Sequence, residues 1–400
     1  MKEEINKAKL IMISGYFGFN NCGDDAILLT MIQELLMDIP RENIFVLSQS
    51  PNRTKEKYRV NSIHRLNLFL ILSQLRKTYL FISGGGGLLQ DVSGKGLSVI
   101  YYLSLIMLAR LFKVPSVIYG QGIGPVRRQI NRKIIRLILN KVNLIMVRDE
   151  QSQAILGEIG INKELVSVYT DPTFLLKKEK LPDNIIKKYH LYSLPERLNN
   201  ENTIGVVIRN CKEIEQDYKQ NILQLAKIAD YLIEKQQAKL IFLPFQMNED
   251  LALINDIIKQ MNHSSVDCLD QEVSPAQMLS LFHKLSLIIG MRFHAIIFAT
   301  ISNCPFIALN YDPKVRNYVN SLGLSELLLN INELTIKNID NKLKYIKDNQ
   351  VKIKSILNSA TKQYQDRANL GNDRLKNIIE GKIFQSRKEW KKFDKDVSCF

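Results

Sequence analysis

The sequence predicts an α/β protein of two Rossmann-like, doubly wound domains facing a cleft, followed by a helical C-terminal segment. Three observations carry this reading. The chain has 400 residues, more than one compact core usually holds. Short apolar runs of strand length alternate with helical patterns. The runs are continuous rather than alternating, as in parallel strands covered on both faces.

Leu10–Ile13 is the first such run. A Gly/Asn loop follows, then a helix from about Asp24. Ile44–Leu47 is next, then Tyr79–Ile82 ahead of four glycines. Ser116–Tyr119 precedes another glycine-rich turn, and Leu144–Val147 precedes Arg148. Residues 177–202 break the pattern with charge clusters, Pro182, Pro195 and Asn199-Asn200, and read as a linker. A second series then begins with Ile204–Ile208, Leu240–Leu243, Leu287–Ile289 and Phe306–Leu309. The expected organisation is a first domain over 1–176 on the acceptor side, a second over 203–330 on the donor side, and helices with a basic tail over 331–400. Ligands of open α/β sheets bind outside the strand C-terminal ends, so the expected site lies between the two domains.

Hydrophobic residues make up 46% of the chain and charged residues 24%, enough for large cores and unlike a disordered chain. The five cysteines, Cys22, Cys211, Cys268, Cys304 and Cys399, are scattered without a C-x-x-C pair. That pattern predicts a reducing, cytoplasmic setting rather than a disulfide framework. The N-terminal stretch has no signal-peptide pattern. The longest apolar stretch, Leu97–Phe112, is interrupted by Ser98, Ser104 and Arg110 and is too short to span a membrane. The net charge of +15 is uneven: residues 1–200 hold 28 Lys+Arg against 17 Asp+Glu, residues 201–400 hold 27 against 23. A basic first half suits an anionic partner.

Four glycine-rich turns follow strands. Gly15 to Asp25 precedes a helix, and Asn20, Asn21 and Asp24 within it are candidates for binding sugar hydroxyls; the alternative for Asp24 is a helix cap. Gly84–Gly87, with Gly85 and Gly86 at its centre and Asp91 downstream, suggests close approach of a ligand, since four glycines carry an entropic cost. Gly120–Pro125 reads equally as a structural turn. The fourth opens Gly290-Met291-Arg292-Phe293-His294-Ala295, where Arg292 and His294 are polar residues in an apolar stretch. That setting favours a site over a core histidine. His64, His190, His263 and His283 have no comparable setting. Arg148, Arg209, Arg292 and Lys314 each lie at or just beyond a strand end, a set that suits a small, highly anionic ligand. No metal-ligand spacing, nucleophile elbow or nucleic-acid motif is present.

In this order, GYFGFNNCGDDAIL (15–28), ISGGGGLLQD (82–91), GQGIGP (120–125), VRDEQS (147–152), DPTF (171–174), GMRFHA (290–295) and NYDPKV (310–315) resemble the polysaccharide pyruvyl transferase family. The sequence looks most like its bacterial cell-wall branch, which puts pyruvate ketals on N-acetylmannosamine of a secondary cell-wall polymer. Cys22 departs from the small residue expected there. The resemblance implies a glycosyltransferase-B-like fold, phosphoenolpyruvate as co-substrate with no cofactor or metal, and ketal formation with release of phosphate. It implies His294 as general acid. It implies Arg148, Arg209, Arg292 and Lys314 as donor ligands, with Arg292 also catalytic beside His294. Asn20, Asn21, Asp24, Gly85, Gly86 and Asp91 fall on the acceptor side, with Asp171, before Pro172, read as structural. The implied acceptor is a lipid-linked oligosaccharide or polysaccharide precursor. A basic helix in which Arg128, Arg132 and Arg136 recur every four residues, and a tail with Trp390 and Phe393, suggest peripheral contact with an anionic membrane. The alternatives are a solvated basic face, a nucleotide-sugar glycosyltransferase of the same fold, and a non-catalytic binder of anionic glycans.

Overall fold

A computed structural model describes residues 9–91, 97–189, 202–263 and 266–381. The first body runs β1 (Leu10–Ser14), α1 (Cys22–Leu35), β2 (Ile44–Ser48), α2 (Pro51–Tyr58), β3 (Asn61–His64), α3 (Leu68–Leu75), β4 (Thr78–Gly84) and α4 (Leu97–Leu111). It continues with β5 (Ser116–Gln121), α5 (Gln129–Leu139), β6 (Leu144–Val147), α6 (Glu150–Ile159) and β7 (Val166–Val168); α7 (Asp183–Lys188) follows in the chain and packs on the second body. The second runs β8 (Thr203–Val207), α8 (Lys212–Glu215), α9 (Tyr218–Glu234), β9 (Lys239–Phe242), α10 (Met247–Gln260), β10 (Asp267–Cys268), α11 (Pro275–Phe282) and β11 (Leu287–Gly290). It ends in α12 (Phe293–Ile301), β12 (Phe306–Asn310), α13 (Pro313–Ser321), β13 (Leu328–Asn330), α14 (Ile336–Asp348) and α15 (Gln350–Ile379).

Both sheets are parallel throughout, in the orders β3-β2-β1-β4-β5-β6-β7 and β10-β9-β8-β11-β12-β13. The order reverses between β1 and β4 and between β8 and β11, and the loops leaving these four strands form the crevices where such sheets bind ligands. Ile11, Met12, Ile13, Leu80, Phe81 and Ile82 are fully buried because helices cover both faces. The expected strands therefore fall where the apolar runs placed them. The short edge strands β3, β7 and β10 carry no comparable run.

The linker expectation needs adjustment. Leu181, Ile185 and Tyr189 are buried in the core of the second body, and the Tyr189 hydroxyl donates to the Cys268 carbonyl at 2.9 Å. Residues 190–201, with His190, lie outside the described residues. The C-terminal helices pack on both bodies. Leu375, Ile378 and Ile379 of α15 pack into the core of the first body, and Lys376 pairs with Asp38. Helix α15 thus spans both bodies. The basic tail, with Trp390 and Phe393, lies outside the described residues. Among the described residues no helix is long and apolar enough to cross a membrane.

Candidate active site

Strand β11 ends at Gly290, and α12 begins with Arg292 at its N-cap, where no side chain caps the helix. Arg292 is buried. Its Nε donates to Asp250 Oδ2 at 2.9 Å and its Nη2 pairs with Asp250 Oδ1, a two-point fork. Asp250, fully buried on α10, also accepts the Phe245 and Gln246 N–H groups at 3.0 and 2.9 Å. Arg292 was expected to hold the donor; its fork is engaged instead in fixing the loop before α10. That loop crosses to the first body, since the Cys22 N–H donates to the Phe245 carbonyl at 2.7 Å and Asn21 bridges Gln246.

His294, on the first turn of α12, reaches across the cleft. Its Nε2 lies 3.5 Å from Asp171 Oδ2 and has no other partner among the described residues. Asp171 is buried and serves two purposes. Its Oδ1 accepts the Thr173 N–H at 3.1 Å, the structural role expected of an aspartate before Pro172. Its Oδ2 accepts Arg148 Nη1 at 3.2 Å and faces His294. Burial pushes the Asp171 carboxyl up, but His294, then Arg148 and the hydrogen bond to Thr173, hold it well below the ordinary carboxylate range. Arg148, itself buried, lies 4.2 Å from the centre of the Phe293 ring. A carboxylate kept ionised and aimed at an imidazole is the arrangement that orients a catalytic histidine. The pairing spans 123 positions of sequence between Asp171 and His294, so no local spacing marks Asp171 as part of the site.

The other wall is the start of α1. Asn21, not Asp24, caps this helix: its Oδ1 accepts the Gly23 N–H at 3.0 Å and the Asp24 N–H at 3.5 Å. Asp24 is thereby released from capping. Burial pushes its carboxyl up to about 6, against the pull of His294 and Lys314. Asn20 takes a left-handed backbone with φ of 60°, and its buried Oδ1 has no partner among the described residues. Two carboxyls beside one histidine are thus driven apart, Asp171 down and Asp24 up, a separation that marks acid–base sites.

The glycine-rich loops make room for side chains. A β-carbon on Gly23 would fall 2.1 Å from His294 Nδ1, and one on Gly122 would fall 2.6 Å from Arg148 Nε. Gly86, at φ of +70°, lies against Asp24 Oδ1, while Gly84 and Gly85 are closed off by Met31 and Ile27 of α1. Close ligand approach was expected at this tetraglycine; three of its four members owe their lack of a side chain to α1. Asp91, expected near the acceptor, has both oxygens occupied by the segment that leads into α5. They accept the Arg127 and Arg128 N–H groups at 2.7 and 2.9 Å and Asn131 Nδ2 at 3.0 Å. These bonds hold its carboxyl below the ordinary value against the upward push of burial.

Of the four cations, Arg148 and Lys314 come together. They line an interdomain cavity of about 120 Å³ with Asp171, Phe293 and Tyr318, and an adjoining crevice of about 40 Å³ with Gly87, Gln90 and Gly122. Lys314 Nζ pairs with Asp312 at 3.2 Å. Arg209 stands apart, half-buried against Tyr311. On α5, Ile135, Ile138 and Leu139 form the core face, while Ile130 and Leu137 are exposed. Arg132 pairs with Glu158 at 3.6 Å. No cluster of metal-ligating side chains is found among the described residues.

Residues 21–313 match the model of the polysaccharide pyruvyl transferase family. The chain belongs to that family. The pyruvyl transferase match takes in both bodies and nearly every residue just described. A curated relative, the amylovoran biosynthesis protein AmsJ of Erwinia amylovora, is 21% identical over 270 residues, 64% of this chain and 63% of that protein. The matched region thus spans less than two thirds of that relative's length. Among solved structures, the UDP complex of S. aureus MnaA superposes with a TM-score of 0.64 at 14% identity, over 93% of this chain and 96% of that one. Anabaena HepE with UDP-glucose gives 0.61 at 15%, over 93% and 99%. A UDP-N-acetylglucosamine 2-epimerase described from Listeria monocytogenes gives 0.65 at 10%, over 95% and 98%. At these identities the likeness shows the fold, a glycosyltransferase-B-like pair of parallel α/β bodies.

Proposed function

We propose that the protein transfers the pyruvyl group of phosphoenolpyruvate to two hydroxyls of one sugar in a polysaccharide precursor, closing a cyclic ketal and releasing phosphate. The observation that carries this reading is His294, paired with Asp171 and flanked by Asp24, next to a crevice walled by Arg148 and Lys314. Family membership supports it. The proposed acceptor is N-acetylmannosamine of a cell-wall polymer, held on a lipid carrier at the cytoplasmic side. Cys22, Cys211, Cys268 and Cys304, free of one another among the described residues, suit such a reducing compartment.

The donor is an enol phosphate. A proton added to its methylene carbon draws the double-bond electrons to that carbon and leaves C2 electrophilic. One sugar hydroxyl adds to C2 and gives its proton to a base. A second hydroxyl displaces phosphate, which leaves with the C–O bonding pair, and its proton is taken up by phosphate or the base. In this scheme His294 donates the first proton, with Asp171 and Arg148 holding the imidazole in place. Asp24, whose carboxyl burial raises to about 6, accepts the hydroxyl proton. Lys314 and the uncapped N–H groups at the start of α12 face the donor's anionic groups.

The test is phosphate release from phosphoenolpyruvate with a panel of lipid-linked disaccharides and soluble analogues, with and without chelator. Release that depends on an acceptor bearing a free hydroxyl pair supports the reading. UDP release from a UDP-sugar, with phosphoenolpyruvate inert, overturns it in favour of a nucleotide-sugar transferase.

A further inference from the structure

Helices α3, α4 and α5 cover one face of the first sheet, packed on a common core that includes Ile71, Leu103 and Ile135. This face carries two features that the cleft does not use. The first is apolar. Leu66, Leu68, Phe69 and Leu70 are all exposed, Phe69 by 81%. Helix α3 has no charged residue, and only Ile71 and Leu75 are fully buried. A surface helix needs apolar side chains on its core face alone. Leu97, Ile100, Met107 and Leu111 of α4 are exposed too. Single exposed hydrophobics are ordinary, but a run of them on one face marks an interaction surface.

The second feature is charge. Residues 97–141, from the start of α4 to just past α5, hold eight Lys+Arg and no carboxylate, with Arg132 paired to Glu158 of α6. Between the C-terminal ends of α4 and α5 lies a groove of about 270 Å³, walled by Met107 and Leu137 and ringed by Arg110, Lys113 and Lys141. Among the described residues no carboxylate lines it.

We propose that this face docks on an anionic phospholipid bilayer. The first turn of α3 with Leu66 enters the boundary between headgroups and acyl chains, and the cations of α4 and α5 meet the lipid phosphates. Charge selects this occupant. A second copy of the chain would set two strongly basic faces against each other, and a polyanion without apolar surface would leave Phe69 and its neighbours in water. The face also adjoins the cleft. Arg65 lies 5.2 Å from the ring centre of Phe19, in the loop that leads to Asn20–Asp24, and the Tyr101 hydroxyl of α4 donates to the Arg65 carbonyl at 2.7 Å. Docking requires no particular chemistry in the cleft; that it presents a lipid-held acceptor rests on the pyruvyl-transfer reading.

The full chain is co-sedimented with vesicles of phosphatidylcholine alone and of phosphatidylcholine with phosphatidylglycerol. Binding is expected to the second only, weakened by salt. Leu66→Ser with Phe69→Ser, both at exposed positions, should lower it severalfold. Arg110→Glu with Lys113→Glu should lower it more than tenfold, since each cation near an anionic surface is worth about fivefold in affinity. Lys352→Glu with Lys354→Glu, exposed on α15, should leave it unchanged. Equal binding to both vesicles overturns the proposal, as does wild-type binding by the face variants. So does a dimer that Phe69→Ser dissolves, which would make the face a self-contact. If the serine pair does not fold, the two vesicle types and the charge reversals still decide. Phosphate release with a soluble acceptor, expected to be unchanged in every variant, separates failure of docking from failure of the transfer reading.

Discussion

The imidazole of His294 rests on the backbone of Gly23, with Nδ1 2.1 Å from where a β-carbon would stand. Gly23 is the second residue of α1 in the first body, and His294 is the second residue of α12 in the other. The two helix starts therefore meet without an intervening side chain, and the distance between the bodies at this point is set by that contact. Gly23→Ala should not weaken the helix itself, since alanine is the better helix former by about 1 kcal/mol. The methyl group must displace the imidazole from Asp171. The expected outcome is a fall in turnover of about 10²-fold or more with the melting temperature little changed. Normal turnover in a folded Gly23→Ala protein would show that the contact is incidental.

Asp171→Asn should separate orientation from binding. The amide keeps the shape of the turn at Thr173 but removes the charge facing His294 and Arg148. Turnover should drop by about 10²–10⁴-fold, the range for loss of a positioned acid–base group, with KM for phosphoenolpyruvate moving little. Asp171→Glu should recover part of the loss. Single-turnover rate and donor affinity measured together check this; a loss confined to donor affinity would make Asp171 a partner of Arg148 alone.

Arg292 and His294 stand two residues apart and should respond differently. Arg292 is forked on buried Asp250, so Arg292→Lys leaves a buried carboxylate half-served. Breaking a buried pair costs about 3–5 kcal/mol. The expected result is a lower denaturation midpoint in urea, with donor affinity close to wild type in the protein that remains folded. His294→Gln should keep stability and lose turnover. Reduced donor affinity at unchanged stability in Arg292→Lys would return Arg292 to the donor site.

The central strands were legible because strands covered on both faces must be apolar throughout, as in Ile11–Ile13 or Leu80–Ile82. The edge strands were not: Asn61–His64 is half solvated, and its polar sequence matches that setting. His294 was legible as a polar residue where an apolar helix begins. Its partner Asp171 was not, because the contact forms between bodies and leaves no local spacing. Asp250 was hidden for the same reason, 42 residues from Arg292 on another helix. The glycine loops announced a need for space but not what fills it. At Gly23 and Gly122 the occupants are His294 and Arg148, and at Gly85 it is the ordinary core residue Ile27.

The last prediction concerns pH and turns on Asp24. Its carboxyl titrates near 3.8 in the absence of the fold and about 6 within it, chiefly because it is buried. Between those values the folded protein retains a proton that the unfolded chain has released. The unfolded state then binds fewer protons, so the contribution of Asp24 to stability declines as pH rises through this window. Asp171 acts in the opposite sense. Held below its ordinary value, it stabilises the fold above about pH 4 and loses that contribution as pH falls further. Asp24→Asn should therefore flatten the decline in urea midpoint between about pH 4 and 6 and leave the loss at lower pH in place. Activity supplies the second readout. If ionised Asp24 takes the proton of the sugar hydroxyl, kcat/KM should rise with pH through an acid limb near 6. Asp24→Asn should abolish that limb and lower the plateau by about 10²–10⁴-fold. An acid limb that survives in Asp24→Asn belongs to another group, and the base would then have to be found among the acceptor's own ligands.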